Sequence, residues 1–223
     1  ICCDNSSRPI ISDCIFQHNA ATLGGAIFCR DTSRPLILAS SFASNRAEFT
    51  GAAIHVEYAS ATISQNSFGN NSGNNACVTI IGPDTTMLVE RNTIISDSSE
   101  AVILINDMGP WSALIRSNEI RDNAGVAIFA EVASPVIEGN TILRNAGGLE
   151  LWYSSSTVIC NEISQNTGEG VGFWNDPISL PLTIVIDHNL IDGNQSAGID
   201  GDGSGLIITN NHVTRNKGGI AMR

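Results

Sequence analysis

The chain has 223 residues, 42% hydrophobic, 15% charged and 5% aromatic, with a formal net charge of -11 and a pI near 4.6. That length holds one sizeable core with no linker, so a single domain over residues 1–223 is expected. The acidic balance and the scatter of its 11 Lys and Arg argue against nucleic acid, which clustered bases hold. No apolar run approaches the roughly 20 residues of a membrane span, and no signal peptide opens the chain.

A repeat starts at once. Ile1-Cys2-Cys3-Asp4-Asn5-Ser6-Ser7-Arg8-Pro9 lines up with Ile27-Phe28-Cys29-Arg30-Asp31-Thr32-Ser33-Arg34-Pro35, 26 residues on. The chain therefore opens inside a repeat unit, and the expectation is a fragment or processed product of a longer protein. Anchored on Asn140, the repeat gives equivalents at Cys14, Ser40, Asn66, Asn92, Asn118, Asn161, Asn189 and Asn211, 21 to 28 residues apart. Five residues after each comes a second polar position: Asn19, Asn45, Asn71, Asp97, Asn123, Asn145, Asn166, Asn194 and Asn216. Three before each anchor stands Ile or Val (Ile11 to Ile208), and two after it Phe, Ile or Val (Phe16 to Val213).

Alternation with period 2 makes these short strands with one face inside. The fold expected is all-β, a single-stranded parallel β-helix of about nine coils with Asn ladders at the bends. At about 4.8 Å per coil it is a rod of about 43 Å. Stacked amides donate and accept for one another, whereas an unpaired buried amide costs on the order of 1 to 3 kcal/mol, so the recurrent Asn are structural.

In chain order, the first coils carry Phe16-Gln17-His18-Asn19 with Gly24-Gly25-Ala26-Ile27, then Phe42-Ala43-Ser44-Asn45 with Gly51-Ala52-Ala53-Ile54, then Phe68-Gly69-Asn70-Asn71. These resemble the paired FxxN and GGAI motifs of polymorphic outer-membrane proteins and related surface autotransporter passengers. Later coils, such as Asn140-Thr141-Ile142 to Asn145 followed by Gly148-Leu149, are similar to the right-handed parallel β-helix repeats of pectate-lyase-like proteins. Together the resemblances span nearly the whole chain. They imply a right-handed coil and an extracellular or cell-surface location, and leave activity open because many functions share the scaffold.

The first coils have 26 residues, with a longer third segment; those from Ala113 to Ser156 tighten to about 22. Two insertions break the regularity, Asn106-Asp107-Met108-Gly109-Pro110-Trp111-Ser112 and Asn175-Asp176-Pro177-Ile178-Ser179-Leu180-Pro181-Leu182. In solenoids such loops tend to sit on the binding face. Cys3 and Cys29 fall at equivalent places one coil apart, where stacked buried thiols are favoured over a disulfide. His18, His55, His188 and His212 occupy separate coil positions and read as surface residues.

Chemistry is sought where the repeat does not repeat. If Ile128, Leu149, Val171, Ile199 and Ile220 point inward, then Phe129, Glu150, Gly172, Asp200 and Ala221 point out, followed by Glu131, Trp152, Trp174, Asp202 and Arg223. Trp152 and Trp174 then stand on adjacent rungs flanked by Glu131 and Asp202, with Asp176 opening the nearby loop. Indoles stack on sugar rings and carboxylates accept their hydroxyls, so this face is the candidate site for a polysaccharide or cell-surface glycan. The plain alternative packs the indoles under the 175–182 loop. An enzyme on this scaffold would use Glu150, Asp200 and Asp202 as a lyase or glycoside hydrolase, though the polygalacturonase and pectate lyase residue sets are missing. Asp200-Gly201-Asp202-Gly203-Ser204-Gly205 resembles the start of an EF-hand loop and makes Asp200, Asp202 and Ser204 a weak calcium candidate. Position 12 is Asn211, the bidentate Glu is absent, and a Gly-rich turn is the preferred reading. The favoured function is an adhesin-like, non-catalytic scaffold that needs no cofactor.

Overall fold

The computed structural model describes residues 1–222 apart from 83–85, 107–112, 176–181 and 204. Among the described residues the chain forms 31 short strands, paired in parallel with their equivalents one coil away. They stack into three long sheets. A first contains ten strands from Cys2–Cys3 to Gly218–Met222, and the other two contain nine each, from Ile10–Ser12 to Leu206–Thr209 and from Ile15–Gln17 to His212–Thr214. The expected parallel coil is thus present.

Inside the rod each repeat position becomes a stack. Ile37, Ile63, Val89, Ile115, Ile137, Val158 and Ile186 are all fully buried in one register. Phe16, Phe42 and Phe68 stack with ring centroids 4.9 and 4.8 Å apart, the rise of one strand spacing.

The corners follow one rule. Each of the 18 ladder positions is preceded by a residue in the left-handed region, φ between 45° and 63°, and only Gly139 and Gly193 among those are glycine. An L-residue there costs about 1–2 kcal/mol, and the ladder offsets it. Asn66, for example, donates its backbone N–H and its Nδ2 to Asn92 Oδ1 (2.9 and 3.1 Å) and its Nδ2 also to Ile37 O (2.9 Å). Ser40 serves as a short substitute, taking the Cys14 N–H at 3.1 Å on its Oγ.

Two details go beyond the expected pattern. The extra residues of the early coils form a small parallel sheet of their own, Ala20–Leu23, Arg46–Thr50 and Ser72–Gly73. The turn after this sheet's middle strand folds against the outside of the first sheet, where Thr50 and Thr79 hydroxyls bond and Gly51 runs so close that a Cβ there would sit 2.7 Å from His55 Cβ. That corrects the reading of His55 as a surface residue: it is 1% exposed, while His18, His188 and His212 are exposed. Cys3 and Cys29 lie in register, both buried and unbridged.

Candidate functional site

The outer face of the first sheet is where the fold lets side chains vary freely. Five of its strands matter: Ala101–Asn106, Val126–Glu131, Gly147–Trp152, Val171–Trp174 and Ala197–Asp202. Ile103, Ile128, Leu149, Val171 and Ile199 align and are buried, which turns the intervening residues outward. One outward column is Leu104, Phe129, Glu150, Gly172 and Asp200; the next is Asn106, Glu131, Trp152, Trp174 and Asp202. The expected alignment of Trp152 with Trp174, between Glu131 and Asp202, is the observed register.

The face divides in two. On the upstream rungs Glu131, Glu150 and Trp152 share a groove of about 450 Å³ with Leu104, Asn106 and Phe129, rimmed by Asn75 and Glu100. Leu104 packs with Ala76, Ala101 and Phe129 into a small apolar cluster outside the main core, giving the groove a greasy floor. Asn106 Nδ2 donates to Glu131 Oε2 at 3.0 Å and fixes that carboxylate. Glu150 has no hydrogen-bond partner among the described residues; burial, then the nearby charge of Glu169, raises its pKa above the usual carboxylate range. Trp152 is half-buried and lies edge-on to Phe129 (5.1 Å, 82°) and to Trp174 (6.2 Å, 72°). The aromatics therefore form a stepped wall, an edge-to-face arrangement that aromatic pairs favour. The Trp152 indole nitrogen is buried and has no hydrogen-bond partner among the described residues.

Downstream, Trp174 is 48% exposed and stands beside Asp202. Gly172 separates Glu150 from Asp200; a Cβ built on it would meet only Leu149 O at 3.7 Å and Glu150 Cγ at 4.0 Å, so the missing side chain leaves a notch between the two carboxyls. Asp200 and Asp202 sit two apart on one extended strand, about 6.6 Å between their Cα atoms. Among the described residues, no group of three or more His, Cys, Asp or Glu converges as a metal site. Asp176 and Ser204, like Arg223 and most of both insertions, lie outside the described residues.

Sequence reasoning placed Phe129 on the outer face but left it, with Leu104, Asn106 and Glu100, out of the candidate site. Asn106 is 25 residues before Glu131, one coil length, and that spacing puts it on the strand rather than in the loop it borders.

Taken together, stacked parallel sheets, paired Asn ladders and a groove on one outer face define a β-solenoid. The family model for the right-handed β-helix region matches residues 1–94 and 76–223, and the chain belongs to that family. Searches of curated proteins and of solved structures found no match.

Proposed function

We propose that this β-helix is an adhesin-like, extracellular or cell-surface scaffold that binds a polysaccharide along the outer face of its first sheet. The observation that carries the reading is the groove in which Phe129 and Trp152 meet Glu131 and Glu150 over an apolar floor. Apolar ring faces pack on aromatics and hydroxyls donate to carboxylates, the combination that a sugar site requires. Parallel stacking extends the face to Trp174, Asp200 and Asp202, so a chain running along the rod meets repeated contacts at rung spacing. The surface location is supported by the likeness of the FxxN and GGAI repeats to surface passengers. The test is a glycan array with wild type and Trp152→Ala; binding lost in a folded variant supports the reading, and no binding to any glycan removes it.

One observation favours a second reading, a glycoside hydrolase or lyase. Glu150 and Asp200 flank the Gly172 notch two rungs apart, about 9.6 Å between Cα atoms. Their carboxyls can come within the roughly 6.5 to 9.5 Å of an inverting pair, with Glu150, its pKa raised, as the acid. Reducing-end and unsaturated-product assays decide: turnover abolished in Glu150→Gln and Asp200→Asn establishes catalysis, and its absence in wild type leaves a binder.

A further inference from the structure

The groove's lining is one-sided in charge. Glu100, Glu131 and Glu150 border it, Glu169 adds negative charge behind Glu150, and from Ile54 onward no described strand of the first sheet carries Lys or Arg. On other faces some carboxylates do pair with arginine, as Glu90 does with Arg116 at 2.8 Å and Asp122 with Arg144 at 2.6 Å. A half-buried carboxylate without a cation is costly unless a partner supplies the charge. Aromatic walls beside acids are also the setting in which an ammonium is held, by ring faces and carboxylates together.

We infer that the groove selects a glycan bearing free amino groups, a polymer of unacetylated amino sugars, over neutral or uronic-acid chains. The inference rests on the polysaccharide-binding reading above and names its ligand. The cation of an amino sugar reaches Glu131 and Glu150, which stand on adjacent rungs one column apart, while its ring face lies against Phe129 and Trp152. An alkylammonium chain brings the cation but no ring face to lie against Phe129 and Trp152. A uronate would bring its carboxylate against three glutamates.

Isothermal titration near pH 6 with hexamers of glucosamine, N-acetylglucosamine and galacturonate, and with hexalysine, tests this. The glucosamine hexamer is expected to bind about tenfold tighter than its acetylated counterpart and to weaken with added salt, as charge-assisted contacts do. Glu131→Gln and Glu150→Gln, each shown folded by circular dichroism, are expected to cut that preference to within about twofold. Equal binding of the two glucosamine-based hexamers, or tighter binding of galacturonate, overturns the inference while leaving the glycan reading in place. Hexalysine binding as tight as the glucosamine hexamer also overturns it, in favour of a general cation trap. If no saccharide binds, both readings fall.

Discussion

Asp97 is the one carboxyl in an otherwise amide ladder, and replacing it with Asn should make the protein more stable. Its neighbours show what an amide would do there: Asn71 Nδ2 donates to Phe42 O at 3.1 Å and Asn123 Nδ2 to Ile94 O at 3.2 Å. The equivalent carbonyl for position 97 is Phe68 O, which faces a carboxylate oxygen instead. Asp97 Oδ1 takes the Asn71 backbone N–H and Nδ2, but among the described residues the buried Oδ2 has no partner beyond the Cys77 thiol, a weak donor. Burial pushes the acid from its ordinary 3.8 up to about 6, against the pull of Cys77 and Asn71. A folded-state pKa above the unfolded one means the protonated acid is the favoured form. The contribution of Asp97 to stability is therefore fully present below pH 3.8 and is lost as pH rises toward 6. At about 1.4 kcal/mol per pK unit the loss is about 3 kcal/mol above that window. Asp97→Asn removes it and adds a hydrogen bond, so at pH 7.5 the thermal midpoint should rise by about 6–12 °C for a chain of this size. The gain should narrow as pH falls from 6 to 4. Circular dichroism melts of both proteins across that range measure it; a variant no more stable at pH 7.5, or a gain independent of pH, refutes the reasoning.

Asn140→Ala should lower the thermal midpoint, by about 2–4 kcal/mol in stability. It removes donors to Asn161 Oδ1 and Ile115 O and strands the buried Asn118 N–H groups that end on its Oδ1. His55 behaves oppositely to Asp97: burial lowers its pKa below the ordinary 6.5 despite Glu57 at 3.4 Å, so its folded form resists protonation and stability is lost as pH falls below 6.5. His55→Phe, packing against Phe28, should flatten that acid loss in melts between pH 7 and 5. Gly172→Ala should narrow the notch between Glu150 and Asp200 and weaken glycan binding or turnover across it, with stability changed by no more than about 1 kcal/mol because the added Cβ meets nothing closer than 3.7 Å.

The rod was legible because its energetics repeat. Each inward Ile or Phe and each ladder Asn meets its own copy one coil away, so a single sequence spacing reports a contact, and even the Trp152–Trp174 register followed from counting. Burial of His55 was not legible, because it depends on a turn at Thr50–Gly51 folding onto a neighbouring sheet rather than on the repeat. The groove was half legible. Glu131, Glu150 and Trp152 were found by alternation, whereas Leu104 and Asn106 belong to a coil whose inserted loop disguised their phase. The edge-on indoles depend on ring size and neighbours, which spacing does not encode.

The break in the ladder and the groove share a coil. Asp97 closes the turn that feeds Ala101–Asn106, and that strand supplies Ala101, Leu104 and Asn106 to the groove's upstream wall. In a solenoid each coil is held mainly by its two neighbours, so a local penalty stays local. The penalty at Asp97 above pH 6 falls on the coil that holds the Asn106 amide against Glu131. An amide at position 97 would satisfy the ladder better and remove that penalty from this coil. The residue that departs from the repeat on the inside thus bears on the same rungs as those that depart from it on the outside.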